Sequence, residues 1–552
     1  MTDSLDKLIK LLFPEDLPTP ADWEKKYPPR QLADGAMVTR VAPSPTGFVH
    51  FGGLYASLIS ERLAHQSGGI FILRIEDTDK KREVAGTAEL FAAALQQYGI
   101  ISDEGLKIDG QEKGAYGPYT QSARRDIYRS YIKELIQQGK AYPCFASPVE
   151  LENLRARQEA QGERSGYYGH FATWRDKSPE EALVALESGL SAVIRLKSPG
   201  NFQNKIIVED LLIGRREMPE NDQDIIIMKA DGLPTYHFAH AIDDHLMGTT
   251  HVVRGNEWFP SLPLHLQLFA ILDWQAPFYA HLAPIQKLDA GNKRKLSKRK
   301  DQEANLEYYQ SAGYPEEAII EYLLNLANSN FEDWRRANPA SDNRDFPLSF
   351  KKLANSSGPL FDLNKLNDIS KEIIARLSAN ELYKRTLNWA QKYDKDLALR
   401  LSTDQDYAKK ILNIEREGVI KPRKDIGRFA EVKQEIEYFY DEGFRMPAEL
   451  KAEALADLQG VDSNLLINDF LQTYEDTDEP EIWFAKLKTL AAKYGLAASM
   501  SEYKADPTKY HGQVGSAAKL IRILLTGRTQ TPNLCLIMQV MGKDRILKRL
   551  KV

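Results

Sequence analysis

The 552 residues are too many for one hydrophobic core, and at roughly 100 to 200 residues per domain they predict three to five domains. With 43% hydrophobic, 10% aromatic and 27% charged residues, and with 34 Gly and 27 Pro, the composition excludes a disordered, collagen-like or membrane-embedded chain. A net charge of -5 argues against a protein coated in nucleic acid, and the two distant cysteines, Cys144 and Cys535, exclude a disulfide framework and a cysteine-rich zinc site.

Residues Met1 to Lys10 lack the charged, apolar and small-residue regions of a signal peptide, so a cytoplasmic location is the expectation. Residues 1–37 read as an arm. Leu8, Leu11, Leu12 and Phe13 make a short apolar patch ahead of Pro-rich text ending at Tyr27-Pro28-Pro29-Arg30. The arm is expected to pack on the domain that follows.

From Val38 the text runs V-T-R-V-A-P-S-P-T-G-F-V-H-F-G-G: a β-branched strand, a break at two prolines, and a helix starting near His50. A helix start offers unpaired N–H groups and the positive end of a dipole, and Gly47, Gly52 and Gly53 let a phosphate chain approach the backbone. A helix over His50–His65, an apolar strand over Ile70–Ile75 and a helix over Glu83–Tyr98 complete a β-α-β unit and predict a parallel sheet. Ligands on such sheets gather beyond the carboxyl ends of the strands, where P-S-P-T-G and Glu76-Asp77-Thr78-Asp79 would both lie.

This first half spans 38–115. Between 116 and 224 the rhythm changes to a helix over Arg124–Gln138, loops, and short strands over Ala192–Leu196 and Lys205–Leu212, which reads as an insertion. Over 225–300 the sheet resumes. A strand Asp224–Lys229, a helix from Tyr236, a strand His251–Arg254, a helix Asn256–Leu272 and a strand Tyr279–Ile285 lead into a basic run, Lys293–Lys300, with six basic residues and no acid. Residues 301–368 and 369–552 read mostly as amphipathic helix, with Pro315 opening one helix. Lys519–Lys551 holds eight basic residues against Asp544 alone, while Glu431–Glu481 is acidic. Such segregated charge fits a protein that grips a polyanion in places.

The block at Val38–Gly53 closely resembles the first signature of class I aminoacyl-tRNA synthetases, the H-I-G-H motif, in its glutamate variant, R-x-A-P-S-P-T-G with a Gly-Gly ending. Lys295-Leu296-Ser297-Lys298-Arg299 resembles the K-M-S-K-S loop of the same class, in the K-L-S-K-R form common among glutamate enzymes. The likeness recurs near the C-terminus, at Leu524-Leu525-Thr526-Gly527-Arg528 through Pro532 and Gly542. It implies a Rossmann-like α/β catalytic domain built on a parallel sheet, with an inserted acceptor-binding domain, a stem-contact domain and an all-α anticodon-binding region.

Residue by residue, the resemblance implies that Arg40, Ala42, Ser44, Glu76, Tyr236, His240 and Arg254 bind glutamate, with Arg40 on the side-chain carboxylate and Glu76 and Ser44 near the ammonium. Thr46, Gly47, His50, Gly52, Gly53, Glu257, Trp258, Leu296, Ser297, Lys298 and Arg299 would bind ATP, and His50, Lys295 and Lys298 would carry catalysis by stabilising charge on the departing pyrophosphate. Position 240 is a departure, since glutamate enzymes often have Asn there. Mg2+ would accompany ATP, and the partners would be L-glutamate and the glutamate tRNA, with the glutamine tRNA left open; the resemblance also implies a monomer that needs no membrane.

His237, His240, Asp243, Asp244 and His245 have helical spacing that could hold a metal, but the family accounts for Tyr236 to Asp244 without one, so no catalytic zinc is expected. Some relatives carry a structural zinc in the insertion. Here Pro143-Cys144-Phe145-Ala146 supplies one cysteine, which cannot build that site.

Glutaminyl-tRNA synthetases share the architecture but usually read P-P-E-P-N-G and H-I-G-H, whereas Ala42, Ser44, Thr46 and Gly53 point to glutamate. A short paralogue that glutamylates a modified tRNA base lacks a C-terminal region, and this chain has about 250 residues after the K-L-S-K-R loop. A non-catalytic relic is opposed by the presence of His50, Gly52, Lys298, Arg40 and Arg254. A nucleotidyltransferase acting on a small molecule would not need the basic, helical C-terminal third.

Overall fold

The computed structural model describes residues 3–45, 47, 49–297, 299–353, 358–458 and 460–550. It forms two compact units, Met1–Leu306 with Ile320–Asp362, and Glu307–Ile319 with Leu363–Val552.

The first unit opens with helices α1 (Asp3–Leu12) and α2 (Pro20–Lys26). Thr19 caps α2, with its side chain and that of Asp22 each bonded to the other's backbone and Pro20 in the first turn. The arm packs inward. Trp23 donates to Ser130 at 2.9 Å, Glu24 accepts from Tyr131 at 2.8 Å, and Arg30 grips both oxygens of Glu104 at 2.8 and 2.7 Å.

Strand β1 (Val38–Val41), helix α3 (Phe51–Gln66) and strand β2 (Ile70–Leu73) form the expected β-α-β unit, with Val38 opposite Ile70 and Val41 opposite Leu73 in parallel register. Helix α4 (Thr87–Gln97) leads to β3 (Glu104–Leu106), parallel to β2, and β4 (Glu112–Lys113) turns back on β3. Glu83–Gly86, read from the sequence as helix, precede α4, because Gly86 at φ +78° sets its start.

Helix α5 (Arg125–Gln137) follows. Strands β5 (Ala141–Cys144) and β6 (Val193–Leu196), separated by helices α6 (Pro148–Ala160) and α7 (Pro179–Glu187), pair antiparallel. A hairpin of β7 (Lys205–Asp210) and β8 (Gly214–Pro219) follows; β9 (Ile226–Met228), read from the sequence as resuming the parallel sheet, instead pairs antiparallel with β6.

Helix α8 (Tyr236–Leu246) returns the chain to β10 (His251–Gly255), which lies beside β1, since the Thr250 amide donates to the Val38 carbonyl at 2.9 Å. The expected long helix after β10 is two pieces, a 3-10 turn over Asn256–Ser261 and helix α9 (Leu262–Ile271). Pro260 and Pro263 lack the amides a continuous helix would need. Strand β11 (Phe278–Leu282) pairs parallel with β10.

The basic run is no plain loop after β11. A hairpin of β12 (Gln286–Asp289) and β13 (Asn292–Lys295) carries its first three residues, closed by Ala290 at φ +48° and Gly291 at φ +84°.

Among its described residues the second unit has helices and 3-10 turns and no strand. Its core gathers Leu382, Leu397, Leu401, Ile411, Leu487, Leu520, Ile523, Ile537 and Ile546. Helix Val514–Thr526 ends at Gly527 in the left-handed conformation. Among the described residues no helix is long and apolar enough to cross a membrane.

Candidate active site

His50 is the N-cap of α3, with extended backbone, and its Nδ1 accepts the Gly53 amide at 3.1 Å. That bond places the ring proton on Nε2. A Cβ on Gly52 would stand 3.0 Å from the His50 Cε1, so glycine is what lets the imidazole fold back over the first turn. No acidic residue occupies that turn. Gly47 has φ +145°, a conformation that suits glycine. Thr46 and Lys298, both assigned to ATP from the sequence, lie outside the described residues.

The loop after β13 is folded on Asp301. The Ser297 amide donates to Asp301 at 2.8 Å, and the Leu296 amide donates to the Ile285 carbonyl at 2.9 Å. Arg294, with the Ser297 amide, holds the Asp301 carboxyl well below the usual carboxylate range. Lys295 and Arg299 are exposed, and the Lys295 ammonium lies 3.9 Å from Glu257. The Glu257 carboxylate folds over Gly255, where a Cβ would meet it at 2.4 Å, and Trp258 packs on Tyr236 with ring centres 4.3 Å apart.

A buried polar layer lies around Tyr236. Arg40, from β1, is bonded to Asp244 at 3.3 Å; Arg74, beyond β2, reaches Asp244 at 2.6 Å and Glu76 at 3.2 Å. Behind them Asp243 takes Arg124 at 2.7 Å, Gln121 at 2.9 Å and the Tyr128 hydroxyl at 2.9 Å. Burial opposes ionisation of Asp244, yet Arg40 and Arg74 hold its carboxyl well below the ordinary value. For Glu76 burial wins and pushes its carboxyl up against the pull of Arg74 and Arg40. A buried carboxylate with incomplete compensation is suited to receive a cation. The Glu76 amide donates to the Pro43 carbonyl at 2.9 Å, so half-buried Ala42 and exposed Ser44 flank the residue that pairs with it.

His240 is fully buried, and burial drives it down to about 3, so it is neutral. Asp244, 2.9 Å away, accepts from Nδ1, and Nε2 then accepts from the Tyr279 hydroxyl at 3.1 Å. Both ring nitrogens are thus engaged within the protein. Arg254, at the end of β10, donates Nε–H to His281 at 3.0 Å and Nη1–H to the Tyr236 hydroxyl at 3.4 Å. Arg40, Glu76, Tyr236, His240 and Arg254 are therefore brought to one end of the sheet.

The family description "tRNA synthetases class I (E and Q), catalytic domain" matches residues 36–344, and "Anticodon binding domain" matches residues 508–552. The chain belongs to the class I tRNA synthetases. The synthetase is 47% identical over 547 residues to a glutamate–tRNA ligase of Clostridium perfringens strain 13, covering 99% of this chain and 100% of that protein. It is 45% identical over 550 residues to one from Acetivibrio thermocellus, covering 99% of each. A crystal structure of a glutamate tRNA ligase from Elizabethkingia meningosepticum in complex with its amino acid matches with a TM-score of 0.75 at 27% identity, over 93% of this chain and 98% of that one. The resemblance read from the two signatures is borne out, and with it the α/β catalytic domain and the anticodon-binding region.

Several buried residues of the synthetase's site escaped the sequence reading: Arg74, Asp210, His265, His281 and Asp301. The signal that marks them is a polar side chain in apolar text, as with His281 inside Phe278-Tyr279-Ala280-His281-Leu282. Among the described residues no three His, Cys, Asp or Glu side chains are gathered to hold a metal ion. Cys144 is buried, with its thiol 3.4 Å from the Tyr167 hydroxyl, which also meets Thr173 at 3.1 Å. On the loop side of the site, Glu257 faces Lys295 and Asp301 is committed to Arg294. That donor set suits a Mg2+ carried by phosphate oxygens and water rather than by a protein cage.

Proposed function

We propose that the enzyme joins L-glutamate to the 3′ end of the glutamate tRNA through a glutamyl-adenylate. The observation that carries this reading is the gathering of two buried guanidiniums, Arg40 and Arg254, and the buried carboxylate Glu76 at one end of the sheet. A substrate with two carboxylates and one ammonium complements that set charge for charge. The names of the relatives, glutamate–tRNA ligases matched over nearly their full length, support the same substrate.

In the first step a glutamate α-carboxylate oxygen attacks the α-phosphorus of ATP and pyrophosphate leaves. In the second, a ribose hydroxyl of the terminal adenosine attacks the activated carbonyl and AMP leaves. No side chain need form a bond to substrate. Arg40 takes the side-chain carboxylate, with Ala42, Tyr236 and His240 shaping the pocket, Glu76 and Ser44 near the ammonium, and Arg254 on the remaining carboxylate. Thr46, Gly47, His50, Gly52 and Gly53 hold the triphosphate at the α3 start; Glu257 and Trp258 flank the nucleotide; Lys295, Leu296, Ser297, Lys298 and Arg299 follow the departing pyrophosphate. Mg2+, when bound with ATP, neutralises phosphate charge.

On the same reading residues 116–224 receive the acceptor end, 301–368 contact the stem and 369–552 read the anticodon, in a cytoplasmic monomer without structural zinc. Charging purified glutamate and glutamine tRNAs with labelled glutamate and ATP tests it, with Lys298→Ala as the control. Charging of the first alone defines a discriminating ligase, and charging of both an enzyme that also supplies misacylated glutamine tRNA. Charging of neither by folded protein overturns the reading, and adenylate formation untouched in Lys298→Ala overturns the role of that lysine.

A further inference from the structure

Arg254 differs from the other guanidiniums of the pocket. Arg40, Arg74 and Arg124 each face a carboxylate, but among the described residues none lies within ion-pair distance of Arg254, although it is only 6% exposed. It is held instead by two imidazoles, His281 Nε2 at 3.0 Å and His265 Nδ1 at 3.0 Å. A guanidinium can only donate, so both of those nitrogens must carry lone pairs.

The partners of the other ring nitrogens agree with that assignment. His281 Nδ1–H donates to Asp210 at 2.6 Å, and His265 Nε2–H donates to His237 Nδ1 at 2.9 Å. Burial keeps His265 and His281 neutral. Asp210 ends β7 and is 5% exposed; one of its oxygens also takes the Leu212 and Ile213 amides at 2.9 and 2.8 Å. The adjacent Leu211 amide donates to the Tyr279 carbonyl at 2.8 Å, which fixes Asp210 beside β11.

We propose that Asp210 and His281 are positioning residues that orient Arg254 for a substrate carboxylate while keeping its charge free of any protein counter-ion. This rests on the reading of Arg254 as a glutamate ligand. The imidazole stands between carboxylate and guanidinium: Asp210 fixes the tautomer, His281 holds the Nε–H, and the positive charge stays uncancelled until a substrate carboxylate arrives. A carboxylate placed directly on Arg254 would compete with that substrate.

Asp210→Asn is the discriminating variant. It is nearly isosteric, and its Oδ1 can still accept the two turn amides. Its Nδ2, however, would donate to His281 Nδ1, move the ring proton to Nε2 and set it against the Arg254 Nε–H. The loss of a charge-assisted hydrogen bond is expected to raise the KM for glutamate roughly ten- to a hundredfold. The KM for ATP and the melting temperature should stay close to those of the parent enzyme. In a His281→Gln background, where the amide oxygen can accept from Arg254 without help from Asp210, adding Asp210→Asn should change the glutamate KM no further. An unchanged glutamate KM in Asp210→Asn overturns the proposal, as does multiplication of the two effects. A joint loss of melting temperature, ATP binding and glutamate binding marks a purely structural residue and overturns it too. Absence of charging by the parent enzyme would instead overturn the glutamate reading itself.

Discussion

Arg294 grips Asp301 with both terminal nitrogens, at 2.6 and 2.8 Å, and so closes the loop that follows its own hairpin strand. Between those residues run Lys295, Leu296, Ser297, Lys298 and Arg299, and the same Asp301 oxygen that takes Arg294 at 2.6 Å also takes the Ser297 amide. Asp301→Ala removes both restraints without opening a cavity in the core. Pyrophosphate exchange is expected to fall roughly ten- to a hundredfold, because a small misplacement of charged groups is costly in rate. The melting temperature should stay close to that of the parent, which thermal unfolding checks.

Gly52→Ala likewise separates stability from activity. Alanine is the better helix former by about 1 kcal/mol, so α3 itself should not weaken. Its Cβ would press on the His50 ring at 3.0 Å and displace the cap that Nδ1 makes with the Gly53 amide. The expected outcome is an unchanged or higher melting temperature with a KM for ATP raised roughly tenfold. A variant with parent ATP kinetics would mean that the ring moves aside at no cost.

The β-α-β unit and the placing of His50 could be read from sequence because both are local: a β-branched run, two prolines and a glycine pair lie within sixteen residues. The family resemblance proposed the remaining ligands as far as Arg254. What could not be read is the support beneath it. Arg40 meets Asp244 across 204 positions and His281 meets Asp210 across 71, and no periodicity encodes such pairs. The β12–β13 hairpin was hidden for another reason. Its strands carry charged residues at most positions, so the alternation that marks a half-buried strand is missing.

His65 gives a pH dependence. It bridges Glu61 at 3.1 Å and Asp103 at 2.9 Å, and its bonds to Asp103 and Glu61 raise it to about 9 against the desolvation that would lower it. Its contribution to stability is fully present below the unfolded value near 6.5 and is lost as pH rises through the folded value. The ring is 34% exposed, so solvent screening limits the contribution to about 1 kcal/mol. Relative to the parent, His65→Gln should lower the melting temperature at pH 6 and converge with it near pH 10. A gap that stays constant across that range would remove His65 as its source.

The second unit offers a buried cation that, among the described residues, has no acid within ion-pair distance. Arg416, 3% exposed, donates to the Leu412 carbonyl at 3.0 Å, to Ile374 at 2.6 Å and to Leu377 at 3.3 Å. These oxygens belong to the last turns of helices Leu363–Arg376 and Gln405–Leu412 and the residue just beyond the first, where carbonyls lack intrahelical partners and the dipole favours a positive charge. Burial pulls the guanidinium down to about 10, which still leaves it charged at neutral pH. Arg416→Leu keeps the volume roughly constant and strands three carbonyls, so urea unfolding of this unit should show a loss of about 2 to 4 kcal/mol. Arg416→Lys keeps the charge but reaches fewer of the three oxygens, and should fall between leucine and arginine. If lysine were as damaging as leucine, the fork geometry rather than the charge would be what holds the two helix ends together.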